Sequence, residues 1–147
     1  RAKQYRQLLL SPEDYRYMFE FIRNKRIAGE PVTYGCSDYL GFEYEREVRD
    51  WYYLCVAGTY IASIMANGDI TACLDIERRP EFIRGNILKD RFKDVWENNF
   101  DIFRKDLADG NEKCRNCAEK CRCHGDSYHS WDFDKNEPQL CFKDILF

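Results

Sequence analysis

The sequence predicts an α+β fold: a β-hairpin followed by helices and then a Cys-rich, loop-rich C-terminal region. Three observations carry this. An Asn67-Gly68 pair joins two β-prone runs, apolar residues recur at helical spacing on both sides of it, and the C-terminal stretch loses periodicity while gathering cysteine, aspartate, glycine and aromatic residues. At 147 residues the chain can bury a core without covalent staples, so its eight cysteines are not needed simply to rescue a small fold.

The first helix is expected over about 11–28, within SPEDYRYMFEFIRNKRIAG. Ser11 serves as N-cap, Pro12 takes the first helical position, Asp14 stands three residues after the cap and Gly29 stops the run. Tyr15, Met18, Phe19 and Ile22 fall on one face, which is expected to pack into a core. PVTYG then predicts a short extended segment, and residues 37–50 a charged connector with room for a helical turn or two. YIASIM and ITACL form the hairpin arms, with Asn67 and Gly68 both expected at positive φ and Cys73 on the returning strand. A second helix is predicted from about 89 to 107, where Phe92, Val95, Trp96, Phe100, Phe103 and Leu107 keep helical spacing before Gly110.

Composition excludes several classes. The 23 basic and 26 acidic residues leave a net charge of only -3, so no overall field favours nucleic acid or a membrane surface. No apolar run approaches the ~18 residues needed to span a bilayer, and RAKQYRQLLL lacks a signal core. The expectation is a cytoplasmic protein, and the opening at Arg1 reads like the middle of a longer chain.

In that setting, dense cysteines predict metal rather than disulfides. Cys114, Cys117, Cys121 and Cys123 crowd together in CRNCAEKCRC. Cys114, Cys117 and Cys121 would share one face of a helix, whereas Cys114, Cys117 and Cys123 give Cys-x2-Cys-x5-Cys with the last ligand on a loop. Four thiolates suit zinc and iron-sulfur centres alike. His124 and His129 are expected to remain outside the ligand set, and Asp126, Asp132 and Asp134 to cap turns before Pro138.

The larger spacing is more specific. Cys55 is followed by twelve residues, Gly68, four residues and Cys73, then after a gap by Cys114-x2-Cys117-x5-Cys123, and after a second gap by Cys141. This pattern from Cys55 to Cys141, with GNILKDRFKDVW between its halves, resembles the SPASM domain, the auxiliary iron-sulfur extension at the C-terminal side of many radical SAM enzymes. The sequence departs from the family at Ser127, where the family's pattern has the cysteine that crosses over to complete the first cluster.

The resemblance implies two [4Fe-4S] clusters: cluster I on Cys36, Cys55, Cys73 and Cys121, cluster II on Cys114, Cys117, Cys123 and Cys141. In a rival partition Cys121 and Cys123 exchange roles. Trp131 and Phe133 are expected to seal a cluster from water. The resemblance further implies that residues 1–35 end a radical SAM barrel and residues 36–147 form the auxiliary cluster domain. The Cys-x3-Cys-x2-Cys motif that would hold the catalytic cluster is absent from these residues, so S-adenosylmethionine would be handled only by the barrel. The implied partners are that barrel, a ribosomally made peptide or protein substrate and an electron donor, with no nucleic acid and no membrane. The full-length protein would be an oxidoreductase or maturase of such peptides. A zinc-stabilised protein-interaction module is the alternative.

Overall fold

Ser11 opens the first helix, α1 (Pro12–Ile27), with a reciprocal cap: its Oγ accepts the Asp14 N–H at 3.1 Å while Asp14 Oδ2 accepts the Ser11 N–H at 3.3 Å. The computed structural model describes residues 8–147; residues 1–7, which open the predicted 1–35 segment, lie outside the described residues. The apolar face of α1 buries Phe19 and Ile22 against Tyr34, Leu40, Val48 and Phe142. Phe19 meets Tyr34 and Phe142 edge-on, at ring centroid distances of 5.0 and 5.7 Å. The predicted connector contains a two-turn helix, α2 (Phe42–Val48), which packs on α1.

Inside this core lies a charged pair. Glu45 of α2 and Arg49 just beyond it are almost wholly buried, with Arg49 Nε 3.3 Å from Glu45 Oε2. Glu45 also accepts the backbone N–H groups of Leu40 at 2.9 Å and Tyr53 at 2.8 Å. Arg49 donates to the carbonyls of Cys36 at 3.3 Å and Asp38 at 2.8 Å, and its guanidinium lies 5.0 Å from the Tyr34 ring. One ion pair therefore fixes the whole 36–40 loop.

The chain divides into two packing units. Residues 8–54 pack with 107–147, and Cys55–Asp106 pack among themselves. The second unit holds the hairpin: β1 (Ser63–Ile64) pairs antiparallel with β2 (Asp69–Thr71), which pairs antiparallel with β3 (Gly85–Asn86). The turn differs from expectation, since Gly68 alone takes a positive φ (89°) and Asn67 does not. Gly68 N–H donates to Met65 O at 2.8 Å and Met65 N–H to Asp69 O at 2.8 Å, the arrangement of a type I turn closed by a left-handed glycine. A methyl group at Gly68 would lie 2.7 Å from Asn86 Oδ1. Gly68→Ala should therefore destabilise by about 1–2 kcal/mol, read as a lower urea midpoint with an unchanged slope.

The predicted 89–107 helix is shorter than its periodicity implied. α3 covers Phe92–Asn98, followed by 3-10 turns at Asp101–Arg104 and Leu107–Gly110. Consecutive asparagines end it: the Asn98 side chain bonds back to Asp94 O at 2.8 Å, and the Asn99 side chain leaves the helix for Arg84 O at 3.0 Å. The aromatic stripe still packs, Trp96 on Phe100 at 5.0 Å across the end of α3 and Phe100 on Phe103 at 5.5 Å, the second because a 3-10 turn also brings residues three apart together.

Candidate metal centre

Six of the eight cysteines lie in the first unit; Cys55 and Cys73, both half-buried, lie in the second. All eight are free thiols. Near the C-terminus Asn111 caps α4 (Glu112–Arg115), its Oδ1 accepting the Cys114 N–H at 3.1 Å, which fixes the first cysteine of the pair. Cys117 N–H returns to Cys114 O at 3.1 Å, closing the tight turn that Cys-x2-Cys requires. A separate short helix, α5 (Lys120–Cys123), follows. The continuous helical face that would have aligned Cys114, Cys117 and Cys121 is therefore not formed.

After α5 the backbone reverses through three successive left-handed residues, His124 (φ 54°), Gly125 (φ 87°) and Asp126 (φ 74°). Histidine and aspartate tolerate this conformation better than most residues, and glycine is needed at the centre. A methyl group on Gly125 would come within 2.7 Å of the Ala108 backbone nitrogen and 2.8 Å of Leu107 Cβ. Gly125→Ala is expected to cost about 2–4 kcal/mol through backbone strain and overlap together, measurable by urea unfolding of the metal-free protein.

The reversal turns Asp126 inward. Its carboxylate accepts the Tyr39 N–H at 2.9 Å and the Ser130 hydroxyl at 3.1 Å, and burial, aided by the charge of Asp38, raises its pKa to about 7. Ser127, at the position of the family's crossing cysteine, is fully buried with its Oγ 2.8 Å from Ser130 Oγ. A hairpin of β4 (Trp131–Asp132) and β5 (Glu137–Pro138) follows, and Asp132 Oδ1 caps its turn by accepting the N–H groups of Asp134 and Lys135 at 3.1 and 3.2 Å.

Cys114, Cys117, Cys123 and Cys141 line one cavity of about 190 Å³ within the first unit. Cys121 is exposed on α5 and does not line it. Cys141 stands immediately before α6 (Phe142–Leu146) and is held in place by Phe142, whose ring is wedged between Phe19 and Tyr15. Tyr39, Ala108, Pro138, Leu140 and Phe142 supply the rest of the apolar wall. Trp131 and Phe133, expected to act as the seal, do not line the cavity. Local contacts hold both rings on their own turn: Trp131 Nε1 lies 3.3 Å from Asn136 Oδ1, and Phe133 stacks on Tyr128 with centroids 6.2 Å apart.

Lysines and carboxylates share the cavity's lining. Lys113, Lys120 and Lys143 surround the sulfurs; Lys113 pairs with Asp144, Lys120 with Asp109, and Lys143 Nζ donates to Cys117 Sγ at 3.5 Å. The cavity's carboxylates are engaged: Glu119 accepts the Tyr39 hydroxyl, Asp126 is bonded as above, and Asp144 holds Lys113. The soft donors on offer are four sulfurs, a set that fits an iron-sulfur cluster. Burial first, and then the charge of Asp126, pushes the Cys123 thiol up to about 12, and burial raises Cys141 as well. Metal binding must displace those protons.

The remaining candidates are placed differently. Cys36 is exposed on the loop held by Arg49, and His124 and His129 are exposed. Among the described residues no three of His, Cys, Asp and Glu stand close enough together to hold a single metal ion. Sequence reasoning passed over Tyr39 and Lys143. Lys143, two residues after Cys141, carried a faint signal; Tyr39, so far upstream, carried none.

No curated protein and no solved structure matches the chain significantly. The SPASM family, described as an iron-sulfur cluster-binding domain, matches residues 55–118, somewhat under half of the chain. The matched segment contains Cys55, the hairpin, Cys73 and the Cys114-x2-Cys117 pair, and stops short of Cys121, Cys123 and Cys141. Residues 55–118 are thus similar to the SPASM family, the iron-sulfur cluster-binding domain whose model they match.

Proposed function

We propose that the chain is the auxiliary-cluster region of a cytoplasmic radical SAM enzyme that modifies a ribosomally made peptide or protein. The observation that supports this best is the convergence of Cys114, Cys117, Cys123 and Cys141 on one cavity. In this reading those four residues hold a [4Fe-4S] cluster. The assignment of Cys36, Cys55, Cys73 and Cys121 to a second cluster rests on the family resemblance, with Cys36 and Cys121 standing in for the cysteine that Ser127 replaces.

A bound cluster supplies a one-electron acceptor or donor, chemistry that zinc does not offer. The chain's own residues do the rest. Asn111 orients Cys114, Phe142 anchors Cys141, and the left-handed reversal after Cys123 sets the loop that carries it. Tyr39, Leu140 and Phe142 form an apolar wall beside the sulfurs, and Lys143 offsets part of the negative charge of four thiolates around iron. The barrel that cleaves S-adenosylmethionine, the substrate and the electron donor would be supplied by the remainder of the enzyme and its partners.

Anaerobically purified or reconstituted protein should contain about eight iron and eight sulfide per chain, four of each for every cluster, with an EPR signal after reduction. Zinc alone, at about two per chain, would sink the reading in favour of a structural zinc module.

A further inference from the structure

Three lysines line the four-cysteine cavity, and they are not equivalent. The ammonium of Lys113 is matched by Asp144 and that of Lys120 by Asp109. Lys143 is directed instead at sulfur, its Nζ 3.5 Å from Cys117 Sγ, within hydrogen-bond range for a sulfur acceptor. Its position follows from the fold. Phe142, almost wholly buried against Phe19 and Tyr15, fixes the first turn of α6, so that Cys141 on one side of it and Lys143 on the other both face the cavity.

A cation donating to a ligand sulfur has a definite effect on a one-electron couple. Reduction adds one negative charge to the cluster and its thiolates, and a nearby positive charge stabilises that state more than the oxidised one. An N–H donor also draws electron density from the sulfur, which acts in the same direction. Resting on the proposed function above, we propose that Lys143 is a positioning and potential-setting residue for the cluster bound by Cys114, Cys117, Cys123 and Cys141. Through its contact with Cys117 Sγ it holds that cluster at a higher reduction potential than a neutral side chain would. The paired lysines contribute less, because Asp144 and Asp109 cancel most of their field.

The test is a dye-mediated EPR titration of the reconstituted chain, with iron and sulfide counted in each sample. The relevant signal is the one lost in the Cys114→Ala/Cys141→Ala double variant. Lys143→Met should retain full iron and shift the midpoint of that signal to more negative potential, Lys143→Arg should stay near the parent value, and Lys120→Met should move it less. A Lys143→Met midpoint equal to the parent's overturns the proposal. A Lys120→Met shift as large as that of Lys143→Met overturns it too, because the effect would then be general charge and not the sulfur contact. Loss of iron from Lys143→Met would make the lysine structural and overturn the potential-setting role. Failure of the underlying reading looks different: the parent chain itself would take up zinc alone.

Discussion

Glu45→Ala is expected to remove about 3–5 kcal/mol of stability, a large part of the ~5–15 kcal/mol that holds a typical domain. The substitution leaves Arg49 buried without its counter-charge and strips two buried backbone N–H groups, those of Leu40 and Tyr53, of their acceptor. Glu45→Gln should cost less, since its amide oxygen can still accept one of them. A cycle with Arg49→Met separates the parts: if the ion pair matters as described, the double variant will be more stable than the sum of the single losses predicts. Urea unfolding of the metal-free protein reads all three. Additive losses would show that the two residues act independently. The consequence for function runs through Arg49, whose guanidinium holds the carbonyls of Cys36 and Asp38; weakening it should loosen the Cys36 loop before it reaches the four-cysteine cavity.

In the proposed two-cluster reading, Cys123→Ala should abolish one cluster outright, removing about four of eight iron per chain along with one of two EPR signals. Cys141→Ala should remove the same signal, because both thiols line the cavity with Cys114 and Cys117. Cys121→Ala should leave that signal intact, since Cys121 is exposed and outside the cavity. The opposite outcome, with Cys121→Ala deleting the signal and Cys123→Ala sparing it, would establish the rival partition. Both thiols belong to the same short helix, so a difference between the two variants reflects where each sulfur points and not damage to a distant element.

Much of this was legible along the chain because it is locally encoded. The capping box of α1, the Asn67-Gly68 turn, the Cys-x2-Cys grip and the cysteine spacing each depend on residues a few positions apart, where propensity and hydrogen-bond reach decide the outcome. The family resemblance rests on that spacing, and the match to residues 55–118 upholds it over the span it covers. Where local signals compete, the sequence was ambiguous. An aromatic stripe at helical spacing implied one long helix, yet the Asn98 side chain bonds back to Asp94 O and the Asn99 side chain leaves for Arg84 O, and the helix ends there.

What the sequence by itself determined is the donor set: eight thiols whose spacing resembles that of an iron-sulfur-binding family, on an α+β frame with no helix long and apolar enough to cross a membrane among the described residues. What only the tertiary structure decided is which thiols meet. Cys121 and Cys123 are two residues apart and alike in sequence context, but the left-handed reversal at 124–126 and the tether from Asp126 to the backbone of Tyr39 put Cys123 on the cavity and leave Cys121 in solvent. The same holds for Lys143, whose approach to Cys117 follows from the burial of Phe142 in a core built by a helix more than a hundred residues earlier. Convergence of that kind is set by packing between distant segments, and spacing along the chain carries no record of it.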